Sequence, residues 1–411
     1  MRVLLCSNFY YRRGGDCTYL LGLQQLLEHH GHQTAVFSMR HPQNLPCPQE
    51  KYFVDFLDYA ELNNNKNLLN VAKVLGRSIW SRQARRNIAR LIAEWKPDVA
   101  HFQNIHAYLT PSILSPLKAA GIPVVWTLHD FKLLCPESHF LSGKRVCEEC
   151  KGGHFWRCVK NRCKKGSRAA SAVAALEAYI HRYLRISGQV ARFIAPSRFL
   201  KSKFVEFGWP SDQFESWPNF LIEMPGERRG GDGSYGLYLG TLLPFKGVET
   251  LIRALAIAPP HPFHVLGAGE MRSQLEQLVT ELGLEKHIRF CGFLEGEALE
   301  REIVGARYAV VPSECYENFP YAAIELMARG IPLIASAIGG IPELVHDGET
   351  GLLFPPGDPA ALAKNISGLW GDPALRARLG GNASQCIRET CDSKQYFQSL
   401  MALYERVCGR G

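Results

Sequence analysis

The chain has 411 residues, 46% hydrophobic and 21% charged, which is too long for one ordinary core and normal for a globular protein of two or three domains. No run of 18 apolar residues occurs, and the apolar start from Met1 to Cys6 is too short for a signal peptide, so a cytoplasmic protein without a membrane span is expected. The net charge of +8 is uneven: through Pro218 there are 30 basic and 16 acidic residues, and beyond it 17 against 23.

In chain order, strands are predicted near Arg2–Ser7, Thr34–Ser38, Val99–Gln103, Val124–His129 and Phe193–Pro196. A helix from about Asp16 to His30 places Tyr19, Leu20, Leu23, Leu26 and Leu27 on one face and stops at Gly31, which suits a left-handed cap. The stretch from Trp217 to Ser234 is rich in Pro, Gly and charge and reads as a linker. After it strands recur near Gly236–Gly240, Phe263–Leu266, Ile288–Cys291, Tyr308–Pro312 and Pro332–Ala335, and two helices close the chain from about Pro373. This alternation predicts an α/β fold of two doubly wound, Rossmann-like parallel-sheet domains, 1–218 and 235–390, joined by a linker at 219–234 and followed by a final segment at 391–411. Ligands of such sheets bind outside the strand C-termini, here in a cleft between the domains.

Several constellations carry chemistry. Gly14 and Gly15, between the first strand and its helix, let backbone approach a ligand closely with free N–H groups. Arg77 to Trp95 interleaves arginines with Ile79, Trp80, Ile88 and Trp95, and Lys160 to Arg168 adds a second basic cluster. Two readings stand for the helix: contact with an anionic membrane surface, or an apolar face packed on the domain. Nucleic acid is disfavoured by the acidic second half and the lack of a recognition motif. His129 closes a strand, where an imidazole can bond a hydroxyl; His101 and His106 stand at the end of the neighbouring strand as candidate acceptor contacts.

Thirteen cysteines include Cys6, Cys291 and Cys315 in or beside apolar runs, read as buried reduced thiols. The insertion 135–168 holds Cys147-x2-Cys150-x7-Cys158-x4-Cys163 with Cys135 upstream, a set open to a structural zinc, to free thiols or to a redox disulfide. No cofactor is expected for catalysis, because no carboxylate cluster suits a metal bridging a diphosphate.

In the second half Lys246 sits at a helix start, where its ammonium can meet a diphosphate. Gly267-Ala-Gly269-Glu270 follows a strand and could line a nucleotide pocket, although Arg272 breaks the dinucleotide fingerprint. From Pro312 to Ser336 a strand, a polar loop with Glu317, a helix opening at Pro320 and containing Glu325, and a second strand follow in order. A helix N-terminus attracts phosphate, carboxylates accept bonds from sugar hydroxyls, and together they point to a nucleotide sugar.

The Glu317-x7-Glu325 pair, with its Glu-Asn-Phe-Pro loop, Gly-Ile-Pro turn and Gly339-Gly340-Ile341-Pro342-Glu343, resembles the motif of retaining glycosyltransferases of family 4. The resemblance extends over nearly the whole chain and implies the GT-B fold, with the last helix (about Ser393 to Val407) crossing back onto the first domain. It implies transfer of a sugar, with retention, from a UDP- or GDP-sugar to a glycan or lipid-linked acceptor in bacterial cell-surface polysaccharide synthesis, at the inner face of the membrane. By the same resemblance Glu325 bonds the ribose, Glu317 the sugar and Lys246 the diphosphate, while His129 approaches the transferred sugar. Gly14 and Gly15 contact the phosphates, the backbone from Gly292 through Phe293 to Leu294 reads the base edge, and the amides of Asn318 and Phe319 help cradle the donor. Thr241 stands where the family usually carries an Arg, and Arg12 or Arg13, which are also candidate acceptor contacts, would have to compensate. The alternatives are a nucleotide-sugar epimerase of the same fold and a non-catalytic nucleotide- or carbohydrate-binding subunit.

Overall fold

Short apolar runs bounded by serine, aspartate or glycine caps give each half of the chain its own parallel sheet. The computed structural model describes residues 1–56, 76–225 and 233–409. It divides into one unit of Met1–Gly143, Cys147–Trp217 and Ser393–Gly411 and another of Lys144–Val146 and Pro218–Asp392. Part of the expected linker, 226–232, lies outside the described residues.

In the first unit β1 (Arg2–Cys6), α1 (Gly15–His29) and β2 (Gln33–Phe37) lead to α2 (Arg82–Trp95), β3 (Val99–Phe102), α3 (Leu114–Ala119) and β4 (Val124–Thr127). The insertion contributes β5 (Leu141–Ser142), β6 (Arg145–Val146) and α4 (Trp156–Lys160); α5 (Arg168–Tyr183), β7 (Arg192–Ala195), α6 (Arg198–Glu206) and β8 (Phe214–Ser216) follow. Strand order is β2-β1-β3-β4-β7-β8, and all pairings are parallel. Ser81, Ser167 and Ser197 cap α2, α5 and α6 by accepting from backbone N–H groups of Ala84, Ala170 and Leu200, each cap contributing about 1 kcal/mol. Gly31 (φ 78°) ends the turn after α1 in the left-handed conformation its position requires.

The second unit runs β9 (Tyr235–Leu239), α7 (Val248–Ile257), β10 (Phe263–Leu266), α8 (Arg272–Glu281), β11 (Ile288–Gly292), α9 (Gly296–Val304) and β12 (Ala306–Val311). Then come α10 (Tyr321–Ala328), β13 (Leu333–Ser336), α11 (Ile341–Leu344), β14 (Gly351–Phe354), α12 (Pro359–Gly371) and α13 (Pro373–Thr390). Its order, β11-β10-β9-β12-β13-β14, reverses direction between β9 and β12. That reversal opens a crevice outside the strand C-termini, as in dinucleotide-binding sheets. In the first unit the corresponding break lies between β1 and β3. The elements β8, β14 and the β5–β6 hairpin are additional to the predicted set.

The last helix, α14 (Ser393–Val407), belongs to the first unit. A buried polar chain holds it there: Tyr404 OH lies 2.5 Å from His101 Nδ1, His101 Nε2 2.8 Å from Thr127 Oγ1, and that hydroxyl 3.0 Å from Tyr19 OH, which also bonds Tyr396 OH. Low dielectric strengthens such a network when every member has a partner.

The basic helix α2 buries Ala84, Ile88, Leu91 and Ile92 inside its own unit, so its apolar face is used in packing and its arginines face outward. This rules out insertion of that apolar face into a bilayer and leaves charge as its exposed feature. Among the described residues no helix is long and apolar enough to cross a membrane.

Candidate functional site

The loops after β9 and β12 of the second unit meet at the break in its strand order. Gly247 (φ 71°) turns the chain from a short 3-10 segment, Pro244–Lys246, into α7. A Cβ there would lie 1.8 Å from the Pro312 carbonyl oxygen, so only glycine lets the two loops close against each other. Glu314 N donates to Phe245 O at 2.8 Å and ties the loops together.

Held this way, Lys246 Nζ donates to Glu317 Oε1 at 2.6 Å, and Ser313 Oγ donates to the same oxygen at 2.7 Å. The side chains of Lys246 and Glu317 are 26% and 14% exposed, so water screens their attraction only in part. Burial works against the ammonium, but the neighbouring Glu317 carboxylate overcomes it and raises the Lys246 pKa, keeping the cation charged. The backbone of Glu317 is clamped from β13: Gly340 N donates to its carbonyl at 2.7 Å, and a Cβ on Gly339 (φ 63°) would sit 2.4 Å from that oxygen.

Pro320 is the N-cap of α10, with extended backbone (ψ 124°), so the helix opens one residue later than expected, at Tyr321. The amides of Asn318 and Phe319 thus belong to the approach loop, where the buried Asn219 fixes Phe319 by donating to its carbonyl at 2.9 Å. Glu325 lies half-buried on α10; burial raises its pKa against the pull of Arg329, whose Nη1 donates to the Glu325 carbonyl at 2.9 Å. Thr241 is exposed and its carbonyl accepts from Tyr238 OH at 2.8 Å. Gly267 (φ 141°) packs on Gly240, whose carbonyl oxygen would lie 1.8 Å from any Cβ. Gly292 is left-handed (φ 75°) and presents Phe293, 60% exposed, a large apolar surface beside the strand end.

In the first unit the functional candidates gather at the ends of β3 and β4. His129 Nε2 is bonded to Gln103 Oε1 at 2.7 Å, and its ring meets Tyr19 edge-on at 5.1 Å. Burial pushes the His129 pKa down to about 4, with Asp16 opposing, so the ring is neutral at pH 7. Gln103 is 1% exposed and its Nε2 has no partner, a donor that sequence reasoning missed.

His101 proves to be a core residue: it is 0% exposed with both nitrogens bonded, and it supports α14 instead of facing an acceptor. Burial pushes its pKa down to about 3. His106 is half-buried against Trp126 (ring centroids 5.6 Å apart), with Nδ1 unpartnered and its pKa well below the usual value because of burial. Gly14 caps α1 in extended conformation (φ −176°), so steric openness and not a left-handed turn is what glycine supplies there. Arg12 and Arg13 are exposed, Arg13 over the Phe9 ring at 3.8 Å. The same unit holds a cavity of about 230 Å³ lined by Lys132, His181, Arg182, Arg185, Phe207 and Trp209 among others.

Residues 13–221 match the family profile described as Glycosyltransferase Family 4, and residues 223–385 match Glycosyl transferases group 1. The chain is 35% identical over 161 residues to D-inositol 3-phosphate glycosyltransferase of Corynebacterium efficiens, which covers 37% of this chain and 38% of that one. It is 33% identical over 152 residues to the alpha-D-kanosaminyltransferase of Streptomyces kanamyceticus, covering 36% and 39% respectively. The matched stretch therefore spans only about two fifths of the curated relatives' length. Among solved structures, sucrose-phosphate synthase from Thermosynechococcus elongatus superposes with a TM-score of 0.71 at 22% identity over 100% of both chains. Anabaena HepE in complex with UDP-glucose gives 0.66 at 19%, covering 98% of this chain and 100% of that one. These likenesses establish the two-domain GT-B fold, and with the family profile spanning half the sequence the chain belongs to glycosyltransferase family 4.

Proposed function

We propose that this protein is a retaining glycosyltransferase that takes its sugar from a nucleoside diphosphate sugar held mainly by the second unit. The carrying observation is the Lys246–Glu317–Ser313 group, set on glycine-packed loops at the break in strand order. Lys246 meets the diphosphate, Glu317 bonds the sugar hydroxyls, Glu325 bonds the ribose, and the loop amides at Asn318 and Phe319 help cradle the donor. Because Lys246 is already positioned by Glu317, its ammonium is preorganised toward the charge that develops on the departing phosphate. That phosphate accepts the acceptor's proton on the same face of the sugar, so catalysis is positioning and leaving-group stabilisation without a protein nucleophile.

On the first unit the neutral His129 with Gln103 suits a hydrogen bond to a sugar hydroxyl, and the open backbone at Gly14 and Gly15 suits a phosphate. The acceptor is a glycan or a lipid-linked glycan of a bacterial surface polysaccharide, met at the cytoplasmic face of the membrane, with the outward arginines of α2 near anionic lipid. UDP is the favoured nucleotide, since HepE, which shares the fold, was solved with UDP-glucose, and GDP is the alternative. Thr241 offers no cation; Arg12 and Arg13 are the proposed replacements.

The test is a panel of UDP-, GDP- and ADP-sugars, read by thermal shift and then by NMR of the product's anomeric proton. One donor should raise the melting temperature and yield a product with the donor's anomeric configuration. An inverted product would refute retention, and isomerisation of the donor without acceptor would establish the epimerase instead.

A further inference from the structure

Where α9 meets the second sheet, polar side chains stand on a face that doubly covered parallel sheets usually keep apolar. Phe263 and Val265 of β10 and Ile288 and Phe290 of β11 pack into the core, and strand alternation sends His264 and Arg289 to the other face. The register sets Val265 against Phe290 and Leu266 against Gly292, which leaves Cys291 as the extra residue of a bulge, a device that re-aims a side chain. Glu302 of α9 completes the group: one ligand atom each from His264, Cys291 and Glu302 lies within 4.8 Å of the others. Among the described residues this is the group of such ligands that converges; the thiols of the insertion 135–168 do not gather in this way. Cys291, expected as a buried thiol, is only half-buried.

Neighbouring groups hold two of the three in place. The Tyr235 ring stacks on His264, with 3.8 Å between centroids and 18° between planes, and Tyr235 OH donates to the Glu302 carbonyl at 2.9 Å. A Cβ on Gly305 would lie 2.4 Å from that hydroxyl, so glycine at the end of α9 makes room for it. His264 Nδ1 lies 2.7 Å from Glu302 Oε2, and the two side chains are 16% and 20% exposed. They are buried enough to be fixed by their surroundings and open enough for an ion to enter. A plain ion pair accounts for His264 and Glu302 but not for a thiol brought beside them.

We propose that His264, Cys291 and Glu302 bind one zinc ion, with water in the fourth position. A thiolate, an imidazole and a single carboxylate suit zinc and supply too few oxygens for magnesium or calcium. Cys291 loses its proton to solvent on binding, so the thiolate, the Glu302 carboxylate and Zn²⁺ sum to zero charge. Arg289, opposite His264 in the strand register, therefore stands beside a neutral site. Zinc takes the place of the proton between His264 and Glu302. Tetrahedral bonds of ordinary length hold two such ligand atoms about 3.4 Å apart, so the pair opens by less than about 1 Å. The ion joins β10, β11 and α9 immediately before Gly292 and Phe293. One water among its ligands leaves it exchangeable, unlike the ion of a closed four-cysteine site.

The experiment uses the full reduced chain, stripped with chelator and titrated with zinc in the absence of nucleotide, so its outcome is independent of the donor site. Native alkylation is followed at each cysteine by peptide mass spectrometry. At zinc ten times the dissociation constant Cys291 should be labelled about tenfold more slowly, the factor by which free sites fall. Chelator should restore the rate, and magnesium should leave it unchanged. Cys291→Ser and His264→Gln should each lower zinc uptake by one equivalent per chain, while Cys386→Ser, a half-buried thiol of the same unit, should keep it. Equal alkylation of Cys291 with and without zinc, or variants that take up as much zinc as the wild type, would overturn the proposal. The alkylation is read on the wild-type chain and decides whether or not a variant folds.

Discussion

At the break in its strand order the first sheet presents buried, neutral imidazoles and phenol rings. At the corresponding break the second presents an ion pair seated on glycines. Both places lie where parallel sheets of this kind bind ligands, yet they are furnished for different tasks. The second unit uses close backbone packing, at Gly247, Gly267 and Gly339, to hold charge at the proposed donor site. In the first unit burial keeps His129 neutral, which suits the hydrogen-bonding role proposed for it. The lesson is that the charge asymmetry between halves does not predict local chemistry. The basic half carries the neutral cluster, and the acidic half holds the half-buried, ion-paired lysine.

Substitutions that strip the second unit of charge should sharpen this contrast most. Lys246→Ala and Glu317→Ala are each expected to lower kcat by about 10²–10³-fold, the usual cost of losing one preorganised stabiliser of developing charge. His129→Ala should cost less, and its effect should not vary between pH 6 and 8, because the ring stays neutral there; steady-state kinetics across pH check both.

Acid should next separate the units. His101 and His129 have folded pKa values of about 3 and 4 against 6.5 when unfolded. Between pH 6.5 and 4 the unfolded chain therefore binds more protons than the folded one, and stability falls as pH drops through that window and is complete above it. His106 and His181 shift in the same direction. In the second unit His261 is the histidine lowered by burial, so the first unit should lose protection first when hydrogen exchange is followed from pH 7 to pH 5.

A backbone test of the second unit is Gly339→Ala. The left-handed conformation costs a non-glycine residue about 1–2 kcal/mol, and the new methyl presses on the Glu317 carbonyl. A melting temperature lower by several degrees and weaker donor binding are expected together. The smallest effect on donor binding belongs to Tyr404→Phe, which removes the partner of His101 and should cost about 1–3 kcal/mol in urea unfolding without altering donor affinity.

Much of the architecture was legible because strand-length apolar runs and capped helices are local signals. The helices α1 and α14 and the strands of both sheets fall within a residue or two of their predicted ends. The strand β8 was missed because Phe214-Glu-Ser216 offers a single apolar residue and no run, and β14 because its Leu-Leu-Phe run lies between Gly351 and Pro355, which read as turn residues. The candidate site residues divide the same way. Lys246, Glu317 and Glu325 announce themselves by their place beside a helix start. Gln103 and Ser313 do not, since their roles arise from side-chain pairings across separate segments, although Ser313 stands four residues before Glu317. His101 looked like its neighbour His106 in the sequence, and only Tyr404, some three hundred residues away, decides that it belongs to the core.

The most direct test is a crystal structure with the nucleoside diphosphate sugar selected by the donor panel. The diphosphate is predicted within hydrogen-bonding distance of Lys246 Nζ, with the ribose on Glu325 and the sugar hydroxyls on Glu317. A nucleotide bound away from these three side chains, with Lys246 still paired to Glu317 alone, would contradict the proposed donor site.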